Sequence, residues 1–206
     1  MSGAWPDILR AFVALLFAGA AVKLMDDALD VEYDLCRGKR TLAVRLERAC
    51  LPYSLAIFGI AMITEAHVAL AVFLGSYAVG MFTRLDERLP SRVPAFVEII
   101  VAIALCIVLV GWREALWGVA MMSVIDWLDD MVDRQKDLIS GQFNVAIRFG
   151  FVEVLFAILI ALCLAVYTEV VWTALGFIAL VVLSIIFDVT TKKIIGPDDE
   201  EMMDKW

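Results

Sequence analysis

Two short stretches of the chain place aspartate at a spacing that gathers acid on one side of a helix. The first reads Met25-Asp-Asp-Ala-Leu-Asp-Val-Glu-Tyr-Asp34 and the second Leu128-Asp-Asp-Met-Val-Asp-Arg-Gln-Lys-Asp137. A helix turns about 100° per residue, so Asp26, Asp27, Asp30 and Asp34 share an arc of roughly 100°. Asp129, Asp130, Asp133 and Asp137 repeat that arc, and Asp126 falls within it. Like charges at helical spacing repel, so so many carboxylates call for a neutralising cation. Ligands that are all oxygen favour Mg²⁺, with Mn²⁺ or Ca²⁺ as substitutes, over zinc. Mg²⁺ takes one or two carboxylates and leaves positions for water and phosphate oxygens. The chemistry expected is therefore a diphosphate held by metal between two acidic faces. The metal-binding candidates are Asp26, Asp27, Asp30, Asp34, Asp126, Asp129, Asp130, Asp133 and Asp137. Nearby Arg37, Lys39, Arg40, Arg45 and Arg148 are candidates for holding phosphate oxygens directly. A solvated acidic helix end that only sets topology would explain one such cluster; two matched ones argue against it.

The elements that must position these groups are membrane helices. Of 206 residues 63% are hydrophobic, mean hydropathy is +0.87, and long apolar runs alternate with short charged stretches. Spans are expected near Ile8 to Met25, Leu51 to Thr64, Ala66 to Thr83, Pro94 to Gly111, Ala115 to Leu128, Phe151 to Val166 and Val170 to Phe187. The stretch Leu51 to Thr83 is ambiguous between one tilted helix and a hairpin turning at Glu65, Ala66 and His67. Basic loops prefer the cytoplasm. Arg37 to Arg48 and Arg84 to Arg92 both face inward only if the chain turns there. The result is a polytopic all-α bundle of about seven transmembrane helices, N-terminus out, with both aspartate clusters on the cytoplasmic side of the cell membrane. Trp112, Trp117, Tyr167 and Trp172 are expected at the outer boundary as an aromatic belt.

A net charge of −8 excludes the basic face that nucleic-acid binding requires. The N-terminal apolar run lacks a basic leader and a cleavage site, so it reads as a retained helix. Cys36, Cys50, Cys106 and Cys163 form no paired motif and read as apolar filler. A single histidine, His67, cannot build a metal site.

The two clusters lie 103 positions apart, and the match continues without a gap. Leu35 falls on Leu138, Gly38 on Gly141, Ala43 on Ala146 and Arg45 on Arg148. The chain thus reads as one transmembrane domain over 1–206: repeat one at about 8–83, repeat two at about 115–190, linked by a helix at about 94–111. Four helices separate the clusters, so the repeats are parallel and both clusters emerge on one side.

These residues resemble the UbiA-type membrane prenyltransferases, whose motifs read N-D-x-x-D-x-x-x-D and D-x-x-D-x-x-x-D. Asp27, Asp30 and Asp34 match the first; Asp130, Asp133 and Asp137 match the second. The run from Asp30 to Leu46 also looks like the stretch that follows the family's second motif, D-x-x-x-D-x-x-x-G-x-x-T-L-x-x-R-L. The resemblance implies a Mg²⁺-dependent enzyme that ionises an isoprenyl diphosphate and transfers the allylic cation to an acceptor in a lipid-open cavity, with those six aspartates catalytic. A membrane terpene cyclase, whose substrate supplies its own acceptor, is the close variant. The chain departs from the family in two ways. Asp26 stands where the motif has asparagine, and the seven helices are two fewer than the family's nine. A homodimer would cover the side left open. A divalent-cation transporter and a non-catalytic binder of lipid diphosphates are the readings from other classes. Transport would need polar groups through the membrane depth, where the outer helix halves are almost wholly apolar.

Overall fold

A computed structural model describes residues 4–29, 31, 41–82, 85, 91–140 and 144–194, and the described residues are helical with no strand. In chain order the helices are α1 (Ala4–Leu29), α2 (Leu42–Leu46), α3 (Cys50–Thr64), α4 (Ala66–Gly80), α5 (Ala95–Val110), α6 (Trp112–Ser140), α7 (Val145–Arg148), α8 (Phe151–Thr168) and α9 (Val170–Ile194). A single 3₁₀ turn, Glu47–Ala49, joins α2 to α3.

Among the described residues, four segments are long and apolar enough to cross a membrane by length and composition: Trp5–Leu29, Leu42–Thr64, Phe151–Thr168 and Val170–Thr191. The helices Ala66–Gly80 and Ala95–Val110 are apolar but shorter. Large apolar side chains cover the outside as well as the core; Ile63, Val108 and Tyr167 are each about four-fifths exposed or more. A surface of that kind is stable only against lipid or another apolar partner, which is compatible with an integral membrane protein.

The ambiguous stretch breaks at Glu65, whose backbone is extended (φ −156°, ψ 96°). Glu65 N–H still donates to Ala61 O at 3.0 Å, and its own carbonyl accepts from Ala69 N–H at 3.1 Å. The corner therefore leaves few backbone groups unpaired, as a turn between two apolar helices requires. Glu169 makes a matching corner between α8 and α9 (φ −147°, ψ 87°). Its N–H donates to Ala165 O and its carbonyl accepts from Thr173 N–H, both at 3.0 Å. Gly111 and Gly150, each at φ 104°, make the other sharp entries, into α6 and α8. That backbone conformation suits glycine alone among ordinary residues.

The helices flanking the interior pack closely. α1 lies against α3, α4 and α9, while α6 lies against α4, α5 and α8. At the α4–α6 crossing the two backbones touch: a Cβ on Gly118 would lie 2.2 Å from Ala71 O, and one on Gly75 2.6 Å from Gly118 C. Small residues at such crossings let apolar helices associate where no hydrophobic drive exists between them. The main core, with Ala11, Ala14, Ala18, Ala69, Ala71 and Trp117, surrounds this contact.

Trp117 departs from the expected aromatic belt. It is fully buried, and its indole N–H donates to Thr173 Oγ1 at 3.0 Å. Its ring stands edge-on to Trp172, centroids 5.3 Å apart. Hydropathy could not show that packing turns it inward, toward α9. Trp112 and Tyr167 are exposed.

Gly118→Val should separate α4 from α6. The expected outcome is a fall in thermal unfolding temperature in mild detergent equivalent to about 1–3 kcal/mol, the usual cost of overpacking. Gly59→Val, where an added Cβ meets nothing within 4 Å, should leave it nearly unchanged.

Candidate functional site

The charged face of α6 is continuous. Asp126, Asp129, Asp130, Asp133 and Asp137 all lie on one unbroken helix, Trp112–Ser140. It runs twelve residues past Leu128, where the expected span ends. On α1, Lys23, Asp26 and Asp27 occupy the last two turns of Ala4–Leu29. The interior-facing sides of α1, α4, α6 and α9 enclose a cavity of about 410 Å³. Asp26 borders it from α1, and Asp126 and Asp129 border it from α6, together with Lys23, Ser76 and Ser184. Asp26 is close enough to Asp126 for their charges to interact. Its other walls are mainly apolar: Leu15, Val72, Val79, Met121, Met122, Ile125 and Trp117.

The remaining aspartates do other work. Asp27 pairs with Lys23 at 3.7 Å, one helical turn back. Asp130 Oδ2 accepts from Val145 N–H at 2.7 Å, which caps the start of α7. Asp137 is buried, and its Oδ2 accepts from Asn144 Nδ2 at 2.9 Å. The same amide group donates to Asp130 O at 2.6 Å, while Asn144 Oδ1 accepts from Ile147 N–H at 3.2 Å as the α7 N-cap. Asp130, Asp137 and Asn144 thus form a clasp that ties the end of α6 to the chain entering α7. Asp133 is half-buried on the same helix. None of Asp27, Asp130, Asp133 and Asp137 borders the cavity.

Asp30, Asp34, Arg37, Lys39 and Arg40 lie outside the described residues. Arg45 on α2 and Arg148 on α7 are exposed, and the Arg148 guanidinium lies 5.2 Å from the Phe149 ring centroid; neither borders the cavity. Asn144 and Lys23 are the two participants that motif spacing does not reveal. Lys23 stands 103 positions before Asp126, so a cation occupies in one half the place that an acid occupies in the other. That substitution was readable from the offset alone. Its ammonium lies 5.5 Å from the Phe187 ring centroid.

Among the described residues no group of three or more His, Cys, Asp or Glu side chains is arranged as a ready-made metal cage. The cavity-facing donors Asp26, Asp126 and Asp129 are carboxylates. They suit Mg²⁺, which binds through one or two carboxylates and completes its shell with water and phosphate. No protein-family model matches the chain, and comparison with curated proteins and with solved structures gives no match.

Burial, with the charges of Asp137, Asp129 and Asp133, outweighs the Val145 N–H and pushes Asp130 up to about 6 from 3.8. The folded state therefore holds this proton more tightly than the unfolded chain. Stability present at low pH is lost as pH rises through about 6. Without divalent cations, the unfolding temperature should fall between pH 4 and pH 7, and Asp130→Asn should flatten that slope. Asn144→Ala removes a hydrogen bond to the buried Asp137 carboxylate and removes a cap. It should cost about 2–4 kcal/mol, read as a loss of thermal stability at fixed pH.

Proposed function

We propose that the chain is an intramembrane, Mg²⁺-dependent transferase acting on an isoprenyl diphosphate. The observation that carries this reading is a single cavity with carboxylates from both aspartate clusters at one end and apolar walls beyond them. An amphiphile with a phosphorylated head and a hydrocarbon tail matches that division. The resemblance to UbiA-type prenyltransferases names the same ligand from the motifs alone.

Bound Mg²⁺ would supply charge stabilisation for the departing diphosphate. Asp26, Asp126 and Asp129 would hold it from the two sides of the cavity. Lys23, at the cavity wall, would attract phosphate oxygens and offset some of the carboxylate charge. The apolar walls would exclude water from the allylic carbon once its C–O bond breaks and the electron pair leaves with the diphosphate. The new bond then forms to an acceptor, or to a double bond of the same chain in a cyclase, with loss of a proton. Asp130, Asp137 and Asn144 would act at one remove, by fixing the end of α6 that carries the acids.

The architecture proposed is seven membrane-spanning helices in two parallel repeats joined by α5, with the clusters at the cytoplasmic face of the cell membrane. Several pairs of boundaries support the repeat. α2 begins at Leu42 and α7 at Val145, the same offset that relates Asp26 to Asp129, and the Glu65 and Glu169 corners are built alike. Membrane lipid is the medium, and a second copy of the chain is the partner that would close the open side. Cation transport fits less well, because the cavity's polar groups stop at one end and fully buried Trp117 closes the other.

Purified protein given an allylic diphosphate and Mg²⁺ should release pyrophosphate. Asp126→Asn and Asp26→Asn should each lower the rate about 100-fold, the scale of losing a group that stabilises developing charge. EDTA should abolish release, and Lys23→Gln should weaken substrate affinity more than turnover. Unchanged release in both aspartate variants would remove the assignment; Mg²⁺ flux into proteoliposomes without turnover would favour transport.

A further inference from the structure

The cavity has one end whose identity the aspartates do not explain. Trp117 closes it from α6. It is fully buried, braced by the hydrogen bond from its indole to Thr173 and by the edge-on ring of Trp172. A tryptophan held by two neighbours on α9 cannot swing aside as a methionine would. Trp117 and Asp126 lie on the same helix. Nine residues at 1.5 Å rise put the closed end about 13 Å from the nearest carboxylate.

We propose that Trp117 is the floor that sets the length of apolar tail this cavity accepts, with a limit near three isoprene units. The proposal deepens the reading of the site as one for an isoprenyl diphosphate and rests on it for the identity of the head group. Two estimates converge on the limit. An extended carbon chain advances about 1.25 Å per bond, given bonds of about 1.5 Å and angles near 111°. About 13 Å then holds roughly eleven bonds, close to three four-carbon isoprene backbones. Independently, a cavity of about 150 Å³ accommodates a six-carbon ring. The cavity of about 410 Å³ scales to roughly sixteen carbons on that ratio. Met121 lies one turn nearer the carboxylates and reaches across to Gly176, where an added Cβ would meet its Cε at 3.0 Å. It marks the level at which a bulkier side chain would raise the floor.

The test uses the full chain in lipid nanodiscs. Binding of geranyl, farnesyl and geranylgeranyl diphosphates is measured with Mg²⁺ and without acceptor, beside the three matching alcohols. Affinity should rise from geranyl to farnesyl and drop at least tenfold at geranylgeranyl. Trp117→Leu should restore geranylgeranyl binding, and Met121→Phe should move the limit down to geranyl. If Trp117→Leu fails to fold, Met121→Phe decides alone. Equal binding of all three lengths by the unaltered protein, or a limit unmoved by Met121→Phe, would overturn the proposal. A length limit that persists among the alcohols while Mg²⁺ and diphosphate add nothing would uphold the floor and reject the diphosphate reading.

Discussion

Carboxylates carried on largely apolar helices must find water, a cation or another polar group, because an apolar surround offers nothing to solvate them. That requirement orients α1 and α6. Asp26, Asp126 and Asp129 turn inward to one cavity, and the outward surfaces of the bundle are left to residues such as Val108 and Ile63. The rest of the packing serves this orientation. α4 approaches α6 to backbone contact at Gly75 and Gly118, and α9 lies along α1, so the acids face a bounded space instead of lipid.

The two acidic clusters share a spacing but not a set of duties. Asp26 and Asp129 occupy equivalent positions and both border the cavity. Asp27 and Asp130 are also equivalent, yet neither borders the cavity: Asp27 pairs with Lys23, Asp130 with the backbone of Val145. The clasp in the second half has Asn144 at its centre. The equivalent residue in the first half is Thr41, whose hydroxyl is buried without a hydrogen-bond partner among the described residues. With Lys23 opposite Asp126 in the repeat, the cavity has one wall carrying both signs of charge and one carrying acid alone. Two walls that differ in this way ask for different chemistry, which suits an asymmetric ligand better than a symmetric one.

Polarity also changes along the depth of the cavity. Charged and hydroxyl groups gather at one end, methionine and branched aliphatic side chains follow, and a braced indole closes the other. Hydrogen bonds near that closed end, from Arg113 to Thr168 O at 3.0 Å and from Trp117 to Thr173, fasten α6 to the α8–α9 corner. They hold the apolar end rigid while the acidic end depends on the α6–α7 clasp.

Much of this was legible in the chain itself, because period and composition report local physics. Hydropathy located most of the apolar helices to within a few residues but stopped α6 at Leu128 and α9 at Phe187, short of their ends at Ser140 and Ile194; the short connection at Glu65 was visible as a polar break between apolar runs. The shared arc of Asp26, Asp27, Asp30 and Asp34 follows from helical geometry alone, as does the offset linking it to Asp129, Asp130, Asp133 and Asp137. What spacing cannot show is which member of a 100° arc meets a neighbour. Asp26 and Asp129 reach the cavity while Asp27 and Asp130 do not: Asp27 pairs back along its own helix with Lys23, and Asp130 turns to the backbone entering α7. Trp117 looked like a boundary aromatic until the hydroxyl of Thr173 drew its indole inward. Sequence by itself determined the helices and their acidic faces, since both are set by residues a few positions apart; only the tertiary structure decided which carboxylates share a space, since that depends on contacts between residues far apart in the chain.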